Sequence, residues 1–147
     1  MSKLQRDQFN QKYGMPDEIK IMGTVPTNIS SLVNQMVLEQ NTENAKKIVD
    51  TINNILKTQI TDISADQFPE PFQSDAKMNN DFVNPTGVLY LVTLGDAKVR
   101  MNKKDFNLPL HKIVFVNERV PYIILSQSTN KLIMLSARFV WDKINHG

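Results

Sequence analysis

The fold is decided by residues 87–141, GVLYLVTLGDAKVRMNKKDFNLPLHKIVFVNERVPYIILSQSTNKLIMLSARFVW, which hold most of the apolar β-forming residues of the chain. Five short runs are rich in Val, Ile, Leu and Tyr: Val88 to Leu94, Ala97 to Met101, Lys112 to Val116, Tyr122 to Leu125 and Leu132 to Leu135. Turn-forming residues separate them, so the stretch predicts a five-stranded antiparallel meander or small barrel. Gly95-Asp96, between the first two runs, predicts a two-residue hairpin with glycine first.

Most of these runs are apolar on both faces. Only the Ala97 to Met101 run alternates, and it would place Lys98 and Arg100 in water. A sheet with one face in water alternates along all its strands, so something must cover the second face of this one. The two candidates are helices of the same chain and neighbouring subunits.

A helical region precedes the β-unit. Ile29, Leu32, Val33, Met36 and Val37 recur at helical spacing, and so do Ala45, Ile48, Val49, Ile52, Leu56 and Ile60. Asn41-Thr42 lies between the two sets and predicts the bend of a helical hairpin. One unbroken helix of about 32 residues fits as well, but at ~1.5 Å per residue it would be near 48 Å long and would need partner subunits.

The whole pattern predicts an α+β protein that forms one compact domain in four segments. Residues 1–26 are expected as an extended arm, with a further β-strand at Ile19 to Met22. Residues 27–63 form the helical region, and residues 64–86 form an extended, proline-containing connector anchored by phenylalanines. Residues 87–147 form the β-unit, which ends at Phe139 and Trp141 in either a strand or a helical turn.

Composition limits the classes of function. The chain has no cysteine, which excludes disulfides, thiolate metal sites and a cysteine nucleophile. The sequence shows neither the apolar segment of a signal peptide nor a run of the ~18 apolar residues that a membrane helix needs, so cytoplasmic synthesis without secretion is expected. Residues 1–95 carry 8 Lys/Arg and 11 Asp/Glu (8 − 11 = −3), whereas residues 96–147 carry 9 and 4 (9 − 4 = +5), so the β-unit is the basic half.

Two sets of residues are candidates for contacts with partners. The first is a set of subunit-interface candidates: Ile29, Leu32, Val33, Met36, Val37, Val49, Ile52, Phe68 and Phe72. The second is a set of basic-face candidates on the β-unit: Lys98, Arg100, Lys103, Lys104 and Arg119. The expected partners are other protein subunits, in a homo-oligomer or a multi-protein assembly, with nucleic acid as a weaker alternative and no membrane.

No motif carries a recognisable chemistry. His111 and His146 are the two histidines, and a catalytic role for His111 would need a partner such as Asp96 or Asp105. The glycines are too scattered for a phosphate loop, and no spacing of acids and histidines fits a metal site. The sequence therefore predicts no catalytic residues, no metal, no cofactor and no enzymatic activity.

The predicted function is a non-catalytic assembly subunit, of the kind found in phage virions as a connector, tail or baseplate protein. Heavy use of Asn and Ile without Cys is typical of small structural proteins from AT-rich genomes, including phages. The first alternative is a nucleic-acid-binding adaptor that uses a basic small β-barrel. The second is a small inhibitor that binds one host protein.

Overall fold

The computed structural model describes residues 3–69, 71–126 and 131–141, and within them it contains three helices and nine strands. The helices are α1 (Lys3–Tyr13), α2 (Thr27–Leu38) and α3 (Ala45–Leu56). The strands are β1 (Ile19–Thr24), β2 (Ser64–Phe68), β3 (Phe72–Gln73), β4 (Thr86–Leu94), β5 (Ala97–Met101), β6 (Lys104–Leu108), β7 (Lys112–Val116), β8 (Tyr122–Ser126) and β9 (Leu132–Val140). Across these described ranges, no helix is both long enough and apolar enough to cross a membrane.

The strands form two sheets that face each other. The larger sheet has the order β1-β7-β4-β9-β2, and the smaller one has the order β3-β8-β5-β6. All pairs of neighbouring strands within the sheets are antiparallel. Between the sheets lies an apolar layer built by the inward side chains of both, for example Val92, Val99, Val114 and Ile124.

The α+β class is confirmed, but the single meander or small barrel is wrong. β4 and β5 lie in different sheets, so Gly95-Asp96 carries the chain from one sheet to the other and does not close a hairpin between them. The hairpin of this region joins β5 to β6 through Asn102 and Lys103, which both have positive φ angles, of 52° and 63°. Local sequence marks where strands begin and end, whereas pairing depends on partners far along the chain.

The second face of the larger sheet is covered by the helices of this chain. Ile29 and Val33 of α2 and Ile48, Ile52 and Leu56 of α3 are buried in one cluster with the outward side chains of the larger sheet. These side chains repeat at helical spacing, which is why the two segments form amphipathic helices against a sheet.

The helical region is a hairpin and not one long helix. Gln40 has a φ of 53°, and the side-chain oxygen of Asn41 accepts a hydrogen bond of 2.9 Å from the backbone N–H of Glu43. A left-handed residue followed by such a turn ends the first helix, because neither conformation continues the helical hydrogen bonds.

The N-terminal segment is not an extended arm. Residues 3–13 form α1, and Phe9 on this helix is 6% exposed because it packs edge-on against Phe82 at 5.5 Å between ring centroids. The predicted strand at Ile19 to Met22 is present as β1, which pairs with β7. The 64–86 segment contributes β2 to one sheet and the short β3 to the other.

The end of the chain is a strand up to the last residues that the structure describes. β9 continues through Phe139 to Val140, so the helical turn is not formed there. Trp141 is 4% exposed and lies 4.9 Å from Phe115 between ring centroids. His146 and the rest of the predicted β-unit after residue 141 lie outside the described residues.

Candidate functional site

A cavity with polar side chains in its lining lies at the end of the sandwich where β4 turns into β5. We call it the turn-end cleft, and its volume is about 730 Å³. Its lining comes from the β4–β5 turn, the β6–β7 connection and the ends of β5, β6 and β8: Gly95, Asp96, Ala97, Lys98, Asn107, Leu108, Pro109, Leu110, Leu125 and Ser126. This volume is within the ~300–1,000 Å³ of typical small-molecule sites.

Strand register puts three of the lining residues in one row. Lys98 on β5 is paired with Asn107 on β6 and with Leu125 on β8. Directly paired residues of antiparallel strands point to the same side of a sheet, so these three side chains share the outer face of the smaller sheet. The row gives the turn-end cleft a cation, an amide and an apolar side chain next to one another.

Gly95 fixes the rim of the cleft. Its φ is +82°, and a Cβ atom there would lie 2.5 Å from the backbone oxygen of Lys131. Only glycine combines that backbone conformation with such a close approach. The turn holds Asp96 at the mouth of the turn-end cleft, where its side chain is exposed.

Ser126 is the unusual residue of the cleft. It is 3% exposed, and its buried hydroxyl has no hydrogen-bond partner among the residues that the structure describes. An unpaired buried hydroxyl costs roughly 1–3 kcal/mol, so most proteins satisfy such a group. The hydroxyl is closed off from solvent, so a ligand in the turn-end cleft could not reach it without a local rearrangement.

A second polar cluster lies inside the sandwich. The hydroxyl oxygens of Tyr90 and Tyr122 are 2.8 Å apart, and Tyr122 donates its proton to Glu118 Oε2 at 2.7 Å. Because Tyr122 gives its proton to the carboxylate, Tyr90 is the donor of the bond between the two tyrosines. Arg138 Nη1 donates to the other carboxylate oxygen at 3.0 Å, so the polar groups of this Tyr–Glu cluster satisfy one another and tie the two sheets together.

Both tyrosines resist ionisation. Burial raises the pKa of Tyr90 to about 12, and burial, together with Tyr90 and the Glu118 carboxylate, raises the pKa of Tyr122 as well. A phenolate is disfavoured in this position because it would be taken out of water and placed beside an existing negative charge.

We expect the Tyr–Glu cluster to make the free energy of unfolding fall at strongly alkaline pH. The pKa of Tyr90 in the folded protein lies above its usual value of 10. Its contribution to the free energy of unfolding is therefore complete below pH 10 and is lost as the pH rises through about 12. The difference between the ultraviolet absorbance titrations of the wild type and of Tyr90→Phe isolates the ionisation of Tyr90. Its midpoint should lie about two pH units above that of free tyrosine. A midpoint near 10 in the folded protein would contradict the buried hydrogen-bonded arrangement.

His111 does not meet the acids suggested for it. Its Nδ1 lies 2.7 Å from the Ser30 hydroxyl at the start of α2, and its φ is 68°. Ser30 is 2% exposed, so a substrate could not reach its hydroxyl. The pair therefore joins the β6–β7 connection to α2 and contains neither Asp96 nor Asp105.

The subunit-interface candidates are divided between the two apolar layers. Ile29, Val33 and Ile52 are buried under this chain's own sheet, and Leu32, Met36 and Val37 pack partly buried beside them. Val49 is half-buried on α3, while Phe68 and Phe72 lie against the layer between the sheets with ring centroids 4.5 Å apart. Association with other subunits stays a prediction, and the buried members leave little surface for it.

The basic-face candidates do not all share one surface. Lys98, Arg100, Lys103 and Lys104 are exposed on or beside β5 and β6. Two of them are paired with acids, since Arg100 Nε lies 2.8 Å from Asp105 and Lys104 lies 3.4 Å from Glu18. Arg119 is fully buried, and its guanidinium donates to backbone carbonyls of the segment before β4.

Comparison with solved structures identifies the type of fold. A prolyl-4-hydroxylase from Pseudomonas putida is 10% identical with a TM-score of 0.51, and the match covers 97% of this chain and 96% of that one. An acireductone dioxygenase from Bacillus anthracis with a cadmium ion in its active centre is 12% identical with a TM-score of 0.47, covering 95% and 85%. A predicted oxalate decarboxylase from Thermotoga maritima is 12% identical with a TM-score of 0.46, covering 60% and 73%.

The fold is therefore an antiparallel β-sandwich with helices on one sheet, similar to that of the prolyl-4-hydroxylase. No protein-family profile matches the sequence. No curated protein is significantly similar to it.

This comparison overturns the predicted function. A solved structure that matches 97% of this chain is a prolyl-4-hydroxylase, which corrects the prediction of a virion component and its alternatives, and the nucleic-acid-binding adaptor also needed a small barrel that the chain does not form. The prediction of no enzymatic activity was wrong because it treated missing motifs as evidence, although a hydroxylase has a similar fold. Catalytic residues that are distant in sequence leave no motif.

A metal centre would need several nitrogen, sulfur or carboxylate ligands close together. No three His, Cys, Asp or Glu side chains of residues 3–69, 71–126 and 131–141 lie together in a way that could hold a metal ion. The layer between the sheets is apolar apart from the Tyr–Glu cluster, and His111 is bonded to Ser30 outside that layer. Nitrogen, sulfur and carboxylate ligands are what transition metals need, so the described residues do not fit a metal site there.

The turn-end cleft could not be identified from the sequence. Asp96 drew attention only as a turn residue and as a partner for His111, and Ser126 gave no signal at all. The row of Lys98, Asn107 and Leu125 exists only because β5 pairs with both β6 and β8. No local pattern specifies that register.

Proposed function

We propose that this protein binds a small molecule in the turn-end cleft of its β-sandwich. The observation that carries the proposal is the row of paired residues Lys98, Asn107 and Leu125, which lines a cavity of about 730 Å³ together with the exposed Asp96. Charged, amide and apolar side chains converge on the same cavity, as they do in small-molecule sites.

The alternative position within the sandwich is less favourable. The hydroxyls of Tyr90 and Tyr122 are already hydrogen-bonded, and both residues are almost fully buried, at 5% and 2% exposed. A ligand would have to break those bonds and open the apolar layer before it touched them. The turn-end cleft needs no such opening, because several of its lining side chains are exposed.

Two probes test the proposal by amide NMR of the labelled protein: hexanoate and n-pentylammonium at millimolar concentration. We expect at least one of them to shift the amide signals of Gly95, Asp96 and Leu110 in a saturable way. Asn107→Trp should abolish the shifts by filling the cleft, whereas Asp105→Trp, two residues earlier on the same exposed face of β6, should leave them unchanged.

Ser126→Ala tests whether the buried serine takes part in binding. Removing a buried hydroxyl that has no partner among the described residues should leave the free energy of unfolding unchanged or slightly higher, because no hydrogen bond is lost. The same variant should bind the effective probe as tightly as the wild type, because the hydroxyl is closed off from the cleft. Shifts that persist in Asn107→Trp, or no saturable shifts with hexanoate, n-pentylammonium or the amino acid norleucine, would overturn the proposed site.

A further inference from the structure

We infer that the ligand of the turn-end cleft is a small zwitterion with an apolar substituent, of the chemical class of the free aliphatic amino acids. The inference rests on the proposed function and specifies its ligand. It is carried by the presence of one negative and one positive side chain on the same cavity, together with an apolar wall.

The two charges are close in sequence, and neither belongs to an ion pair among the described residues. Asp96 and Lys98 both line the cleft and both are exposed. None of the ion pairs in the described parts of the chain contains either residue, whereas the next cation along β5, Arg100, is paired with Asp105 at 2.8 Å. Opposite charges available at one cavity complement a ligand that carries both signs.

A ligand with one charge would meet an unfavourable neighbour. A carboxylate that pairs with Lys98 lies in the field of Asp96, and an ammonium that pairs with Asp96 lies in the field of Lys98. Like charges brought together at a binding site cost free energy, so singly charged ligands are disfavoured relative to the zwitterion. The Asn107 amide, which is paired with Lys98 across the strands, adds a donor for the carboxylate on the Lys98 side of the cleft.

The apolar wall defines the rest of the ligand. Leu108, Pro109, Leu110 and Leu125 line the cavity, and Leu110 is 44% exposed although it is a large aliphatic side chain. Covering this surface with an aliphatic chain releases water at roughly 25 cal/mol per Å² of apolar area. An aliphatic amino acid therefore matches both the charged rim and the apolar wall.

The test compares norleucine with hexanoate and n-pentylammonium, which keep the aliphatic chain and one charge each. By calorimetry or amide NMR we expect norleucine to bind about tenfold more tightly than either, as one additional charge-assisted contact would give. Lys98→Ala should reduce norleucine binding about tenfold, and so should Asp96→Asn. Arg100→Ala, on the same face of β5 but outside the cleft, should leave it unchanged.

The outcomes separate the two proposals. If hexanoate or pentylammonium binds at the cleft as tightly as norleucine, the zwitterion inference fails while the small-molecule site stands. If none of the three probes perturbs the cleft residues, the proposed function fails with it. Tight norleucine binding that is unaffected by Lys98→Ala and Asp96→Asn would also overturn the inference, because the charges would then play no part.

Discussion

Arg119→Met is expected to lower the free energy of unfolding by about 3–5 kcal/mol, which would place it among the most damaging single substitutions in this protein. The guanidinium is fully buried and donates to three backbone carbonyls: that of Asp81 at 2.8 Å, that of Asn84 at 2.6 Å and that of Thr86. Its carbon lies 4.8 Å above the ring of Phe9. A methionine fills similar space but leaves all three carbonyls without this donor.

Urea unfolding followed by circular dichroism measures the loss, and Arg100→Met is the matched control. Arg100 also donates two hydrogen bonds, but it does so to Asp105 at the surface, where an ion pair contributes less than about 1 kcal/mol. Arg119→Lys should lose most of the same stability, because an ammonium cannot direct donors to three separate carbonyls. An Arg119→Met protein within about 1 kcal/mol of the wild type would show that the 81–86 segment is held by other contacts.

Gly87→Ala is expected to cost about 2–4 kcal/mol through overpacking at the centre of the larger sheet. A Cβ atom at this position would lie 2.4 Å from Cε1 of Phe115 and 2.7 Å from the backbone oxygen of Val116. The Phe115 ring cannot turn away freely, because it is fully buried between Phe139 and Trp141 at centroid distances of 5.6 and 4.9 Å. Both the ring and a paired strand would have to move.

Gly23→Ala is the control, since a Cβ there would meet mainly Cγ2 of Ile55 at 2.9 Å, the end of a half-buried side chain. It should change the free energy of unfolding by less than about 1 kcal/mol. Gly87→Ala combined with Phe115→Leu should not recover full stability, because the contact with the Val116 oxygen remains. If Gly87→Ala unfolds at the same urea concentration as Gly23→Ala, the close packing of β4 on β7 is not as described.

Strand positions were predictable because they depend on local residue type. The apolar runs around Tyr90, Phe115 and Ile133 became β4, β7 and β9, and the helical spacing of Ile48 and Ile52 became α3. In each case apolar side chains are buried together along one segment, and their spacing decides whether the segment forms a strand or a helix.

Other elements depend on contacts that no local pattern shows. Residues 104–108, KDFNL, are too polar to suggest a strand, yet they form β6 because Asn102 and Lys103 adopt the left-handed turn that folds them back onto β5. α1 has little apolar surface of its own and depends on Phe9, which packs against Phe82 and Arg119 from distant parts of the chain. The same limit applies to the turn-end cleft, whose lining comes from two connections and the ends of three strands.

The order of the larger sheet determines when this protein can fold during its synthesis. β1 pairs with β7 about a hundred residues later, with Ile19 opposite Val116, and β2 reaches the sheet only through β9, with Ser64 opposite Ser136. Until the ribosome has released β9, β2 has no partner strand and the apolar faces of α2 and α3 have only part of a sheet to cover. We expect nascent chains that end before residue 132 to remain sensitive to protease, with acquisition of resistance delayed until the last strand has emerged.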